Sequence, residues 1–339
     1  MAKLFEALYH KVFVNIVVQR SQSIVYIEEC SKKAVLKSDS ETFNTTELSN
    51  KMCEYIDSFT SESPFHYISI LDTSDAQGAI PTCSTKEMPR FNDMTSSKYI
   101  CHSNEWTYFT SKSNLDIIKY NYADIGVDFI FSPFTVLAHF FNDKIDSTLA
   151  LYILLEDNYI TISVFDNSRL LYGDHIDMQH GDDYDEMLMD EPGDDDIDFD
   201  LDGSIDLDDI DAMDSMSDIE GLDDFGDIED LDTLDDIDEF AETEHEDDFA
   251  DKYEETSVED VSGFNEDYQR YSLIQSSINR FYKDHKYESK FVENVYIADA
   301  IHVSADLKRY LEEEMFLSVF IRQLDLGAEV CELAKADLK

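Results

Sequence analysis

The sequence predicts an α/β protein with mixed sheets, and three observations carry that prediction. Residues 148–178 form three apolar runs joined by short polar turns, the period-two pattern of an antiparallel meander. Residues 267–321 then alternate helical and strand patterns, an order that adds parallel strands to an existing sheet. Between the two lies an acidic tract, residues 181–262, whose self-repulsion opposes a compact fold of its own.

Taken in chain order, VFVNIVV and SIVYIEE read as two strands around a turn at Gln19-Arg20-Ser21-Gln22, and Val35–Lys37 adds a short third. Residues 46–59 carry Leu48, Met52, Tyr55, Ile56 and Phe59 at helical spacing. HYISIL, from His66, is a short apolar strand. Residues 72–115 are rich in Ser, Thr, Asp and Asn and read as a small inserted subdomain. In it Cys101 and His102 lie close to Trp106, Tyr108 and Phe109; no metal-ligand spacing accompanies them, so an aromatic core is expected. A short amphipathic helix follows at 114–122, then apolar Val127–Phe131. Ser132-Pro133 opens a further helix through Phe141, with Ser as cap and Pro at the first turn. His139 within it is expected as a hydrogen-bonded core histidine.

In the meander, Leu149, Leu151, Ile153 and Leu155 share one face, and Glu156-Asp157-Asn158 makes the first turn. Asp166-Asn167-Ser168 makes the second, since Asn and Asp tolerate left-handed backbone. Beyond the acidic tract come a long amphipathic helix at 267–285, a buried strand at 291–298, a helix at 305–315 and a last strand at 317–321.

The formal net charge of the 339-residue chain is −52. Residues 182–260 hold 39 of the 77 acidic residues and a single base, Lys252, leaving an ordinary, mildly acidic remainder. Such a surface disfavours nucleic acid and anionic lipid. The five cysteines are scattered without a CxxC pair, which predicts reduced thiols in a cytosolic protein rather than disulfides or a metal centre. The N-terminal apolar run is too short for a membrane span and is followed by no signal-peptide pattern. Within the tract, Asp198, Asp200, Asp202, Ser204, Asp206 and Asp209, with Gly203 at the sharp turn, match the ligand spacing of a calcium loop. A tract so dense in Asp also produces that spacing by chance. Its spaced apolar residues, such as Ile205, Leu207 and Ile210, suit short motifs that fold onto a basic, apolar partner.

Three segments, VFVNIVVQRSQSIVYIEE, STLALYILLEDNYITISVFDNSRLL and the stretch from IQSSINRF to FLSVF, together resemble the actin-like ATPase (ribonuclease H-like) two-lobe fold. The resemblance is to the PilM protein of type IV pili and the cytoplasmic domain of GspL from type II secretion. It implies a first lobe at 1–146 with 72–115 inserted, a second lobe from 147–180 plus 263–339, and a long disordered acidic insertion at 181–262. It also implies where nucleotide would bind: a first phosphate hairpin at Gln19, Arg20 and Ser21, a second at Glu156, Asp157 and Asn158, and an adenosine loop at Asp299 and Ala300. The glycines that let backbone amides approach phosphate are missing from all three, and Glu156 and Asp157 would repel it. Asp157 or Asp299 as magnesium ligands are weighed against solvated surface acids, the expected state.

The expectation is therefore a fold kept for protein–protein binding, with no cofactor and no catalytic residues. It would be a cytoplasmic scaffold of a pilus, type II secretion or DNA-uptake (natural transformation) machine. Such a scaffold links an assembly ATPase to the tail of a bitopic inner-membrane protein and reaches the membrane only through partners. Two alternatives remain open on the sequence: an active actin-like or sugar-kinase-like ATPase, and a calcium-responsive binder acting through the acidic tract. No HExxH, GxSxG or GxxxxGK[ST] motif points to other chemistry.

Overall fold

The computed structural model describes residues 9–31, 34–146, 148–178, 258–303 and 305–338. The acidic tract up to residue 257, with the calcium-loop pattern from Asp198 to Asp209, lies outside the described residues; its last residues, 258–262, open a helix rather than belonging to a disordered insertion.

The chain opens with β1 (Lys11–Val18), β2 (Ser23–Ser31) and β3 (Ala34–Phe43), an antiparallel meander. Helix α1 (Asn50–Thr60), capped by the Ser49 hydroxyl, leads into β4 (Phe65–Leu71), parallel to β1. An insertion of β5 (Gln77–Ile80), β6 (Ser97–His102) and β7 (Trp106–Ser111) forms its own three-stranded sheet. Helix α2 (Lys112–Asn121) returns the chain to β8 (Phe129–Phe131), parallel to β4. The first sheet thus has the order β3-β2-β1-β4-β8.

Helices α3 (Pro133–Phe140) and α4 (Asn142–Ile145) lead to a second meander, β9 (Ala150–Leu155), β10 (Tyr159–Asp166) and β11 (Arg169–Asp177). After α5 (Val258–Lys283), β12 (Asn294–Asp299) pairs parallel to β9. Helix α6 (Ala305–Glu313) leads to β13 (Ser318–Gln323), parallel to β12, and α7 (Leu326–Asp337) ends the chain. The second sheet has the order β11-β10-β9-β12-β13. Each sheet is a three-stranded antiparallel meander extended by two parallel strands, in the same sequence of directions. Two such sheets in one chain are the doubled topology of the actin-like fold.

Strand alternation explains the layers. Val12, Val14 and Ile16 point outward from the first sheet onto Met52 and Ile56 of α1. Phe13 and Val17, on the opposite face, join a central core with Val136 and Leu137 of α3, Tyr152 of β9, Phe165 of β10, and Val330 and Cys331 of α7. Leu151, Ile153 and Leu155 face Ile274, Ile278 and Phe281 of α5 and Leu307 and Leu311 of α6. Strand β9 is covered on both faces, and all six of its residues are buried. That double burial is why it reads as an unbroken apolar run. At the β10–β11 turn Asn167 and Ser168 are both left-handed, with φ of 49° and 69°, as a two-residue hairpin requires.

Three features differ from the sequence expectation. The third strand runs ten residues, Ala34–Phe43, rather than three. Nine of the ten are exposed, so hydropathy gave no signal of it. Helix α7 packs on β1, β2 and β4 of the first sheet, although the chain enters it from the second. Its Lys335 Nζ lies 2.5 Å from Glu28 Oε2 of β2, and its Glu329 Oε1 lies 2.5 Å from His139 Nδ1 of α3. Finally, the expectation of wholly reduced cysteines is corrected. Cys83 and Cys101, 18 residues apart, form a disulfide within the insertion, because the β6–β7 hairpin returns the chain beside the segment after β5. Cys30, Cys53 and Cys331 are free thiols, and Cys30 and Cys331 are buried. His102 packs on Trp106, with ring centroids 4.8 Å apart, as the aromatic reading anticipates.

Candidate functional site

In open α/β sheets ligands collect beyond the carboxyl ends of the central strands. Here those ends are β1 and β4 in the first sheet, and β9 and β12 in the second. At β1 the Gln19 amide donates to the Gln22 carbonyl at 2.8 Å, and Gln22 Nε2 donates to Gln19 Oε1 at 2.7 Å. The hairpin closes on itself, leaving Arg20 and Ser21 exposed at its tip.

The second hairpin and the loop after β12 come together, since Asp299 pairs with Leu155 and the Ala300 amide donates to the Leu155 carbonyl at 3.2 Å. Glu156 donates its amide to the Tyr159 carbonyl at 3.0 Å, which turns its side chain inward. The residue is only 4 % exposed, and its Oε1 has no hydrogen-bond partner among the described residues. Burial without a compensating cation pushes the carboxyl up to about 8, so Glu156 is a neutral acid at pH 7. Asp157 is half-buried at the tip; Asn158 Oδ1 is buried and without a hydrogen-bond partner among the described residues.

Asp299 departs from the solvated acid expected of it: the residue is 1 % exposed. Its carboxylate accepts from the Ile301 amide at 3.1 Å, the Val303 amide at 3.1 Å and Gln323 Nε2 at 2.7 Å. The loop is wound around this carboxylate, with His302 left-handed at φ 59°. Amides that would face a ligand are turned onto the protein's own side chain. The sequence could not reveal this, because the tie depends on Gln323 of β13, 24 residues away. No hydrogen bond or ion pair joins Gln19, Arg20 or Ser21 to this group among the described residues.

A second polar cluster escaped the sequence reading altogether. His175 of β11 is buried, its Nδ1 2.8 Å from Thr161 Oγ1 and its ring stacked on Tyr159 at 5.1 Å. Burial lowers the imidazole to about 4, so it is neutral. Gln77 of β5 lies alongside: its Nε2 donates to the carbonyls of Asp72 and Ser74 at 2.9 and 2.8 Å, and its Oε1 accepts from Ser132 Oγ at 3.0 Å. These residues knit the insertion to both sheets. Gly173 belongs to the same contact, because a Cβ there would sit 2.7 Å from Ala79 Cβ.

Between the insertion and the first sheet lies a groove of about 260 Å³. Tyr99 and Ile100 of β6 form one wall and Ile130 and Phe131 of β8 the other, with Lys98 and Lys119 also lining it. Strands β6 and β8 are each the outermost of their sheets. Among the described residues no cluster of three or more His, Cys, Asp or Glu could hold a metal ion. No described helix is long and apolar enough to cross a membrane.

Comparison with known proteins gives the following. A family model described as "Domain of unknown function (DUF8341)" matches residues 151–339, and one described as "Domain of unknown function (DUF8569)" matches residues 9–138. No curated protein matches the chain. Among solved structures, a protein of unknown function with actin-like ATPase fold from Bacteroides thetaiotaomicron is 10 % identical, with 97 % of this chain and 98 % of that one covered at a TM-score of 0.49. A PilM–PilN type IV pilus biogenesis complex gives 9 % identity, 94 % of each chain and a TM-score of 0.46. Component A of (R)-2-hydroxyglutaryl-CoA dehydratase from Acidaminococcus fermentans gives 8 % identity, 98 % of this chain, all of that one and a TM-score of 0.36.

Proposed function

This chain belongs to the family described as domain of unknown function DUF8341, and from its architecture we propose that it is a non-catalytic scaffold of the actin-like fold. The observation that carries the reading is the state of the loops where such a fold would take nucleotide. Glu156 presents a buried acid in place of a glycine amide, and the 300–303 loop is closed on Asp299. A triphosphate would meet a carboxyl with no cation beside it among the described residues, so burying its charge there would go without compensation from them.

The function left to such a molecule is binding. The groove beside Tyr99, Ile100, Ile130 and Phe131 offers apolar walls, two strands that are outermost in their sheets, and both charges, from Lys98 and Lys119 and from Asp72 and Asp128. Those features suit a short extended tail with apolar side chains. The setting follows from the resemblance to PilM and GspL: a type IV pilus, type II secretion or DNA-uptake machine. There the chain would lie at the cytoplasmic face of the inner membrane, holding the tail of a bitopic membrane protein and contacting an assembly ATPase.

Two measurements test this. Thermal unfolding with millimolar Mg-ATP is expected to match unfolding without it; a rise of several degrees would refute the loss of nucleotide binding. A photocrosslinking residue placed at Ile100 is expected to capture a single-span membrane protein in cells, and one at Glu313 is not. Equal capture at both positions would dismiss the groove.

A further inference from the structure

Strand β3 is the outer strand of the first sheet, and no other strand pairs with its free edge among the described residues. It is unusual for such an edge: ten residues long, with neither proline nor glycine, and exposed over nine of them. Natural edges are blunted by shortness, proline, bulges or several lysines. Here Lys37, Asp39 and Glu41 are charged, and the single bulge of the β2–β3 pair makes Leu36 the extra residue, since Glu29 pairs with Lys37 and Cys30 with Val35. From Lys37 to Phe43 the strand is regular. Val35 and Leu36 are 50 % and 52 % exposed, apolar surface at the start of the strand.

The charge order of the strand is self-complementary. Lys37, Ser38 and Asp39 stand in line, so an antiparallel pair of two copies centred on Ser38 places each Lys37 opposite the other copy's Asp39. In the same register the two Ser38 residues stand opposite one another. No like charges stand opposite. Glu41 falls diagonal to Lys37 of the other copy, within reach of a long side chain. Shifting the centre to Asp39 would put two aspartates face to face, which disfavours that register. The Lys37 ammonium rests over the Phe59 ring, 4.5 Å from the centroid.

We propose that the β3 edge is a homodimer interface, in which two copies of this chain join their first sheets into one continuous ten-stranded sheet through antiparallel β3–β3 pairing centred on Ser38. The pairing is isologous, so it closes at two copies. It lies on the opposite edge of the sheet from β8 and so leaves the groove open. A two-fold scaffold would present two tail-binding grooves to one machine.

The test is sedimentation of the full chain at 0.15 M salt over about 1–100 µM protein. A species of twice 39.1 kDa is expected to grow with concentration. Lys37→Asp and Asp39→Lys each place like charges opposite one another, and each variant is expected to sediment as monomer. Both side chains lie on an exposed strand, and cooperative melting of each variant checks that it is folded. Mixed one to one, the two variants regain opposite charges in both cross-strand pairs, and the dimer is expected to return. A wild-type chain that stays monomeric to 100 µM overturns the proposal and assigns the edge to another protein's strand. Variants that dimerise like wild type, or a mixture that stays monomeric, overturn it equally.

Discussion

Glu156→Gln should stabilise this protein, and the gain should depend on pH in a way no packing change reproduces. The buried carboxyl titrates at about 8 in the fold and at about 4.5 in the unfolded chain. Below pH 4.5 both states carry the proton and the fold loses nothing. Between about 4.5 and 8 the folded state holds a proton that the unfolded state has released, so stability falls as pH rises, by about 1.4 kcal/mol per pH unit. At pH 7 the accumulated loss is about 3 kcal/mol relative to acid conditions, a large part of a typical domain's stability. Glutamine keeps the shape and removes the titration. His175 acts in the opposite sense: its imidazole is lowered to about 4, so acid removes stability between about 6.5 and 4. Wild type should therefore change little from pH 6.5 to 4.5, where the two slopes oppose. The variant should lose stability there as pH falls, and should exceed wild type by a growing margin toward pH 8. Urea unfolding followed by circular dichroism from pH 4 to 8 measures both curves, with equal m-values checking that the unfolded states match. Parallel curves for the two proteins would refute the assignment of Glu156 as a buried neutral acid.

Other expectations follow from particular contacts. Lys335→Met removes the cation beside buried Glu28 and leaves it the Tyr26 hydroxyl and the weakly donating Cys30 thiol, so unfolding free energy should fall by about 2–4 kcal/mol; a loss below about 0.5 would mean the pair is solvated. Gly173→Val drives a side chain into the Ala79 backbone and should cost about 1–3 kcal/mol, while accelerating proteolysis within residues 72–115. Deleting residues 185–258 should leave one cooperative melt, because Gln269 Nε2 of α5 already bonds the Met178 carbonyl at 2.9 Å across the junction; a broad, non-cooperative melt would refute this.

Much of this architecture could be read before any coordinates. The 148–178 meander, the Ser132-Pro133 helix start and the alternating tail after residue 262 are local patterns, set by side-chain periodicity and turn chemistry within a few residues. The missing glycines of the three loops are equally a property of the sequence. What local pattern could not give are the features that join distant parts of the chain. An exposed edge strand such as β3 buries nothing and leaves no hydropathic trace. The Cys83–Cys101 bond needs a hairpin to return the chain, and α7 is drawn to the first sheet by Glu28, more than 300 residues earlier.

The chemistry of single groups divides the same way. That residue 156 is a glutamate at a tight turn is written in the chain; that it is a neutral acid follows only from what surrounds it. Asp299 became a loop clasp, rather than a solvated acid, because Gln323 and two backbone amides converge on it. Sequence fixes which groups are present and which helices and strands they prefer. Proximity across the fold sets solvation and partners, and those decide protonation, pairing and whether a cleft is open or filled.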